Sequence, residues 1–187
     1  MLDPYRPRTF SALPEPNDYY AFQRNVADAM DGARGIVAAV ASEFTSHFRR
    51  KKIGALELTG NPEADTALVA IGTIADSAQE LVDGDDDLLV VRVHTYRPFP
   101  AAELTAALAR ASYVSVIDRA AAFGSFGPLG ADVRSLDLPH ATAAMNFICG
   151  LGGAEVTPTT LRWALKQTRS SAAQRAGIAP VYVPVGM

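Results

Sequence analysis

The sequence predicts an α/β protein with three layers, in which helices cover both faces of a small, mostly parallel sheet. Four short apolar runs are bounded by turn residues, and they alternate with stretches of helical spacing. Strands that are apolar along their whole length are typical of a parallel sheet buried on both faces. Ahead of them, a proline-rich segment and one long periodic stretch predict an extended arm and a long helix.

The N-terminal part is expected to consist of an extended arm at 1–18 and a helical connector at 19–52. The arm contains four prolines, which remove backbone donors and disfavour helix. Within the connector, apolar residues recur at steps of three or four, the spacing of an amphipathic helix. Gly32 and Gly35 each weaken that helix by about 1 kcal/mol relative to alanine, and they predict either a break or a close helix contact. The basic run 49–52 is expected to be a solvated helix end, with a functional basic patch as the alternative.

The remaining residues, 53–187, are expected to form the α/β domain. Predicted strands and helices alternate along it: strands at 66–72, 88–93, 113–117 and 143–148, and helices at 74–82, 101–111, 130–136 and 157–166. Pro184 excludes a central strand at 181–185, so that segment is expected to be an edge strand or a tail docked on a partner. The acidic segment 83–87 is expected to be a solvated turn.

Composition limits the classes of function. The 187 residues include 17 lysines and arginines against 20 acidic residues, a formal charge of -3, so neither a nucleic-acid nor an anionic-membrane partner is expected. A single cysteine, Cys149, excludes an internal disulfide and a cysteine-rich metal cage, and the three histidines show no metal-ligand spacing. With no apolar leader and no apolar run of membrane-spanning length, a soluble cytoplasmic protein is expected.

Candidate functional residues lie in the loops after the predicted strands, because ligands of open parallel sheets bind beyond the carboxyl ends of the strands. These candidates are Arg97, Pro98, Phe99, Pro100, Asp118, Arg119, Gly124, Gly127, Gly152 and Gly153. Arg97 is suited to a carboxylate or phosphate, although a lone arginine is more often a structural ion-pair partner. Phe99 is expected to be a buried anchor for its turn.

The other candidates leave alternatives open. The glycines of loop 123–130 are compatible with phosphate cradling, and equally with a tight loop packed against a neighbouring subunit. Asp118 stands where catalytic acids often stand, but neither a histidine nor a second carboxylate lies near it in sequence. Cys149 is expected to be a small buried residue rather than a nucleophile, because nothing electropositive is adjacent to it. No catalytic set can be assembled from these residues.

Several short motifs in these segments follow one another in a fixed order. They are Leu2-Asp3-Pro4, Asp18-Tyr19-Tyr20, Arg97-Pro98-Phe99-Pro100, Asp118-Arg119, Phe123-Gly124 through Gly127-Pro128-Leu129, and Asn146-Phe147-Ile148 with Gly150-Leu151-Gly152-Gly153. In order and spacing this set resembles the C-terminal half of the alpha subunit of pyruvate:ferredoxin oxidoreductase and related 2-oxoacid:ferredoxin oxidoreductases. The resemblance runs from Leu2 to about Lys166.

The resemblance implies a fold similar to the C-terminal domain of transketolase. It also implies a place in a multi-subunit enzyme that oxidatively decarboxylates a 2-oxoacid, pyruvate in the first instance, on thiamine diphosphate. In that family, electrons pass through iron–sulfur clusters to ferredoxin, and the acyl group passes to coenzyme A. Thiamine diphosphate, magnesium and the 4Fe-4S clusters are accordingly expected in partner subunits and none on this chain alone. The family often has arginine and aspartate where this sequence has Ala154 and Glu155.

We therefore expect a non-catalytic subunit, a structural docking domain that borders the active site. Its expected partners are the thiamine-binding and iron–sulfur subunits and, indirectly, ferredoxin. The alternative is a stand-alone α/β module that binds a nucleotide or coenzyme A through its glycine loops, or an inactive remnant domain.

Overall fold

The computed structural model describes residues 3–7, 13–49, 54–139, 142–171 and 179–186. Its helices are α1 Pro16–Phe48, α2 Thr73–Gln79, α3 Ala101–Leu108, α4 Pro128–Arg134 and α5 Pro158–Ser171. Its strands are β1 Leu56–Gly60, β2 Thr66–Ile71, β3 Leu88–Val93, β4 Tyr113–Asp118, β5 Ala143–Ile148 and β6 Val181–Tyr182. Single 3₁₀ turns, Val82–Gly84 and Leu151–Gly153, follow α2 and β5.

The six strands form one sheet in the order β1-β3-β2-β4-β5-β6. The pairs from β3 to β6 are parallel, and only β1 runs antiparallel to its neighbour β3, so the predicted mostly parallel sheet is confirmed. β1 was not predicted, because an edge strand of partly exposed residues has no continuous apolar run to mark it. The segment 181–185 contributes the short edge strand β6, in keeping with Pro184 just beyond it.

Two apolar clusters lie on opposite faces of the sheet, which confirms the three-layer arrangement. On one face, Leu68 and Phe147 pack against α2 and α5. On the other face, Val69 and Val116 pack against α3 and α4. Successive strand residues point to opposite faces, and so strands that are apolar throughout supply both clusters.

Polar contacts hold the C-terminal part of α5 to the sheet. The hydroxyls of Ser115 in β4 and Thr168 in α5 lie 2.6 Å apart and are buried. Arg169 donates to the carbonyl oxygen of Asp87 at 3.0 Å and forms an ion pair of 2.8 Å with Asp85. The acidic segment 83–87 is therefore more than the solvated turn that was expected, because two of its residues bind α5.

The first helix begins at Pro16, three residues before the predicted start, because proline is compatible with a first helical turn. It continues unbroken through Gly32 and Gly35 to Phe48, where Arg49 takes a left-handed conformation with φ 53°. Residues 16–18 of the expected arm are thus helical. Of the rest of the arm, 1–2 and 8–12 lie outside the described residues, as does the basic segment 50–52.

α1 lies beside the sheet domain rather than inside it. None of its 33 residues, all of which the structure describes, is buried. Arg34 donates a hydrogen bond of 2.9 Å to the carbonyl oxygen of Phe99, and Ala38 and Ala41 line a cleft against Pro98. Within the described ranges, no helix is long and apolar enough to cross a membrane.

Candidate functional site

Four parallel strands end at one edge of the sheet, and all ten candidate residues lie there: Asp118 as the last residue of β4, and the other nine in the loops that follow the strands. β2, β3, β4 and β5 run in the same direction, so their carboxyl ends meet at this edge. Gly72 follows β2, the loop 94–100 follows β3, the loop 119–127 follows β4, and the loop 149–157 follows β5. We call this edge the carboxyl edge.

Asp118, the last residue of β4, holds the first turn of α4. Its side chain is only 6% exposed. Oδ1 accepts a hydrogen bond from the amide of Leu129 at 3.0 Å, and Oδ2 accepts one from the amide of Gly130 at 2.8 Å. A carboxylate is stabilised at a helix start because the first backbone N–H groups have no partner within the helix. Asp118 is therefore occupied by its own chain and is not positioned as a free general acid.

Asn146, in the middle of β5, completes this buried network. Its Nδ2 donates to Asp118 Oδ2 at 2.9 Å and to the carbonyl oxygen of Val116 at 3.2 Å. Its Oδ1 accepts from the amide of Gly127 at 2.8 Å. Both ends of the amide are thus satisfied, as buried polar groups require. The result is a rigid connection between β4, β5 and the loop that leads into α4.

The close packing of the loop before α4 and of the first turn of α4 against Asp118 and Asn146 requires glycine at two positions. A Cβ at Gly127 would lie 2.5 Å from Cγ of Asp118, and a Cβ at Gly130 would lie 2.4 Å from Cγ of Asn146. Gly124 differs, because it has φ 78° and open space where a Cβ would stand. Gly127 and Gly130 thus pack tightly against their own chain, which differs from both interpretations left open for loop 123–130, phosphate cradling and packing against a neighbouring subunit.

Arg97 belongs to a partly exposed cluster of aromatic and charged groups. Its guanidinium lies 4.0 Å from the ring centroid of Tyr96 and donates to Asp132 Oδ2 at 2.8 Å. The Tyr96 hydroxyl donates to the same oxygen at 2.6 Å. Burial, and then the bond to Asp132, raise the pKa of Tyr96 to about 12. The hydrogen bond to Asp132 also raises the pKa of Arg97. Arg97 is thus a structural ion-pair partner, which is the role that a lone arginine more often has.

The prolines and aromatic ring after Arg97 shape its turn. Pro98 and Pro100 are buried, and the peptide bond that joins Arg97 to Pro98 is cis. Phe99 is only partly buried, with its ring edge-on to that of Tyr96 at 6.2 Å. The prediction that Phe99 is a buried anchor is therefore wrong in degree, because the ring packs against the apolar core cluster on its face of the sheet but stays partly exposed.

The loops after β4 and β5 contribute a more open part of the carboxyl edge. Arg119 is exposed and donates a long hydrogen bond, 3.5 Å, to the carbonyl oxygen of Gly150. Gly152 and Gly153 have φ values of 65° and 85°, with open space where a Cβ would stand. Phe123 is 94% exposed in the same set of loops. This part offers backbone, one guanidinium and one aromatic ring to a partner or ligand.

The thiol of Cys149 lies at the carboxyl edge but is not accessible. Its residue is buried, and burial raises its pKa to about 11, which keeps it protonated at neutral pH. The expectation of a small buried residue is confirmed. Within the described ranges, no group of three or more histidine, cysteine, aspartate or glutamate side chains is arranged to hold a metal ion.

Sequence reasoning missed three residues of the site. Asn146 had a signal, since it is the one strongly polar side chain in an apolar strand, and a buried amide needs partners. Tyr96 and Asp132 gave no such signal, because they are 36 positions apart in the sequence. They meet in the folded chain, where the loop after β3 lies beside α4.

Comparison with known proteins finds one family model and several relatives that match this chain. The family model described as pyruvate:ferredoxin oxidoreductase core domain II matches residues 64–161, just over half of the chain. The pyruvate synthase subunit PorA of Methanothermobacter thermautotrophicus is 32% identical over 176 residues, which cover 91% of this chain and 45% of that protein. PorA of Methanocaldococcus jannaschii is 30% identical, covering 83% of this chain and 41% of its own length.

A ketoisovalerate oxidoreductase subunit and a solved structure are also among the proteins similar to this chain. The ketoisovalerate oxidoreductase subunit VorA of Pyrococcus horikoshii is 27% identical over 84% of this chain and 41% of its own. The chain thus spans less than half the length of these curated relatives. A 2-oxoglutarate:ferredoxin oxidoreductase from Magnetococcus marinus aligns with a TM-score of 0.46 and 19% identity, covering 68% of this chain and 21% of that one. By its domain match and its similarity to PorA, this chain belongs to the 2-oxoacid:ferredoxin oxidoreductase family, as a form of core domain II.

Proposed function

We propose that this chain is a non-catalytic subunit of a cytoplasmic 2-oxoacid:ferredoxin oxidoreductase complex, in which it serves as a docking domain that borders the active site. The observation that carries the proposal is the environment of Asp118. Both oxygens of this carboxylate accept hydrogen bonds from α4 and one also from Asn146, so the acid at the carboxyl edge orders the fold. With Cys149 buried as well, the chemistry is assigned to partner subunits.

Pyruvate is the proposed substrate of the complex, because several relatives are named pyruvate synthase subunits. Complexes of this family use thiamine diphosphate and iron–sulfur clusters. The donor set of this chain does not fit a cluster, because one cysteine cannot supply four thiolates. We assign thiamine diphosphate, magnesium and the 4Fe-4S clusters to the thiamine-binding and iron–sulfur subunits, which are the proposed partners, and contact with ferredoxin is indirect.

The proposed role is tested by isolating the tagged chain from its native source and identifying what copurifies. We expect a thiamine-binding and an iron–sulfur subunit by mass spectrometry, and pyruvate-dependent reduction of ferredoxin by that assembly. The purified 187-residue chain should show neither turnover nor bound thiamine. Turnover by the chain alone, or its isolation from the source without such partners, would contradict the proposal.

A second function is favoured by one observation. Gly124, Gly152 and Gly153 have positive φ and open space in front of them, which is a backbone surface able to approach an anion. A stand-alone nucleotide or coenzyme A module would use this surface. Titrating ATP and coenzyme A into the purified chain separates the two functions, since binding would raise the melting temperature. The docking role predicts no such rise.

A further inference from the structure

The outer side of α4 forms a small, uncharged ridge at one corner of the carboxyl edge. Its exposed residues Pro128, Ala131 and Ser135 recur at steps of three and four, so they share one side of the helix. On the opposite side, Leu129 and Val133 are buried against the sheet. The outer side of a solvated helix is usually charged, whereas these three small residues leave room for a second surface to approach closely.

On one flank of the ridge, the loop 94–100 presents a guanidinium between aromatic rings. The guanidinium of Arg97 lies 4.0 Å from the ring centroid of Tyr96 and 5.7 Å from that of Phe99. Its ion pair with Asp132 fixes this group beside α4, yet 49% of the Arg97 side chain stays exposed. An arginine that is already held in place loses little further freedom when another surface binds it.

On the other flank, a second guanidinium lies over an aromatic ring. Arg134, the last residue of α4, lies 4.4 Å from the ring centroid of Phe126. At about 100° per residue, Arg134 and Asp132 stand on opposite sides of the ridge. The ridge is therefore bordered on both sides by an arginine held against aromatic side chains.

Phe123 extends from the same loop into solvent. Its ring is 94% exposed although the loop around it is held in place. The amide of Ser125 donates to the carbonyl oxygen of Ala122 at 3.0 Å, and the amide of Gly127 donates to Asn146 at 2.8 Å. An exposed ring on a fixed loop is ready to enter a pocket of a partner without ordering of the backbone.

These groups are of the residue types that dominate protein interfaces. Aromatic side chains and arginine are enriched in interfaces and in their hot spots, whereas lysine and the acidic residues are depleted. Among the described residues, all three contacts of an arginine with an aromatic ring lie beside α4. We call the ridge together with Arg97, Phe123 and Arg134 the α4 surface.

The charge and shape of the α4 surface indicate the chemistry of its partner. Asp132 neutralises Arg97, but no carboxylate of the described residues forms an ion pair with Arg119 or Arg134. Two uncompensated guanidinium groups beside exposed rings fit a protein surface that combines carboxylates with apolar side chains. A ridge is not the concave site that a small molecule needs, and a second copy of this chain would present the same uncompensated arginines.

We propose that the α4 surface docks onto an acidic and apolar patch of another subunit of the 2-oxoacid:ferredoxin oxidoreductase complex. The exposed ring of Phe123 enters an apolar pocket of that subunit, and Arg134 pairs with a carboxylate at the border of the pocket. This inference rests on the proposed function, to which it adds the contact surface and the chemistry of the partner.

Isolation of the tagged full chain from its native source tests the contact. The wild-type chain should retain subunits that mass spectrometry identifies as members of the complex. Phe123→Ala and Arg134→Glu should each lower the retained amount at least about tenfold, as expected for the loss of an interface hot spot. The matched control Arg162→Glu reverses an exposed arginine of α5, on the other face of the sheet, and should leave the retained amount unchanged.

A second measurement uses the wild-type assembly and needs no variant. Hydroxyl-radical footprinting should show that the ring of Phe123 is oxidised in the free chain and protected in the assembly. The free Phe123→Ala and Arg134→Glu chains should melt at the same temperature as the wild type, because both side chains are exposed. A lower melting temperature for both would show that the α4 surface stabilises the domain instead.

Other results overturn the inference in distinguishable ways. Three results would place the contact elsewhere while the proposed function stands: retention of the partners by either variant, an equal loss with Arg162→Glu, or a Phe123 ring that stays reactive in the assembly. A wild-type chain that retains no subunit of the complex contradicts the proposed function itself, and the inference fails with it.

Discussion

The sheet and the first helix use apolar residues in opposite ways. In the sheet, Phe147 and Leu68 are fully buried against α2 and α5. In α1, Phe22 and Val26 repeat with equal regularity but remain more than half exposed. The helices of the sheet domain cover both faces of the sheet, whereas α1 carries a regular stripe of apolar residues that the described part of the chain leaves partly exposed.

The difference separates residues that stabilise the fold from residues that are available for assembly. Burial of apolar area stabilises the domain irrespective of partners, since that surface is removed from water on folding. The same residue types on α1 remain exposed over much of their surface and therefore stabilise the folded chain less. Substitutions in the two regions should therefore separate folding from association.

The largest contrast is expected between two phenylalanines. Phe147→Ala should lower the free energy of unfolding by about 3–5 kcal/mol, because it removes a fully buried ring and leaves a cavity. Phe22→Ala should change it by less than about 0.5 kcal/mol, because more than half of that residue is already exposed. Urea unfolding followed by circular dichroism measures both. Similar losses for the two variants would mean that α1 is part of the cooperative core.

A smaller effect is expected where the carboxyl edge is tightly packed. Gly130→Ala should cost about 1–3 kcal/mol, because its Cβ would overlap the buried side chain of Asn146. Gly84→Ala is the matched control, since an added Cβ there meets open space and φ is not positive. Thermal unfolding of the two variants measures the difference. Equal melting temperatures for the two variants would show that the side chains around Asp118 rearrange to accommodate the added Cβ without loss of stability.

Much of this architecture could be predicted from the sequence, and the limits have physical causes. The strands at 88–93 and 143–148 were predicted to the residue, because continuous apolar runs mark buried parallel strands. The location of Asp118 at the candidate site was predicted as well. Its role was not, because its partners are backbone amides 11 and 12 residues later, which carry no sequence signal.

The relation of α1 to the domain was also beyond prediction. Its helical spacing was evident, but periodicity shows which side is apolar and not what covers that side. The contact from Arg34 to Phe99 spans 65 positions and ends on a carbonyl oxygen that any residue would provide. Only the folded chain shows that this side stays partly exposed, with Val37, Val40 and Phe44 bordering clefts against the domain.

The loop 94–100, which contains Tyr96, should contribute less to the stability of the fold at high pH. Tyr96 has its pKa raised from 10.0 to about 12, chiefly by burial, so the folded state favours the protonated phenol. The stability from this shift is present in full below pH 10, and it is lost as the pH rises from 10 towards 12, because the unfolded chain ionises first. The absorbance of phenolate, followed against pH in the wild type and in Tyr96→Phe, gives the pKa of Tyr96 by difference. A Tyr96 pKa near 10 would show that the phenol is solvated.

The smallest expected effect concerns the tether between the regions. Arg34→Ala removes the hydrogen bond to Phe99 and should lower global stability by under about 1 kcal/mol, because the pair is exposed. Its effect on α1 should be larger than its effect on the sheet: amide hydrogen exchange should accelerate along α1 and stay unchanged in β2 to β5. Arg24→Ala is the control, since Arg24 pairs with Asp28 one turn along the same helix. If both variants accelerate exchange equally, α1 is held to the domain by its small-residue contacts at Ala38 and Ala41, and the arginine adds nothing to them.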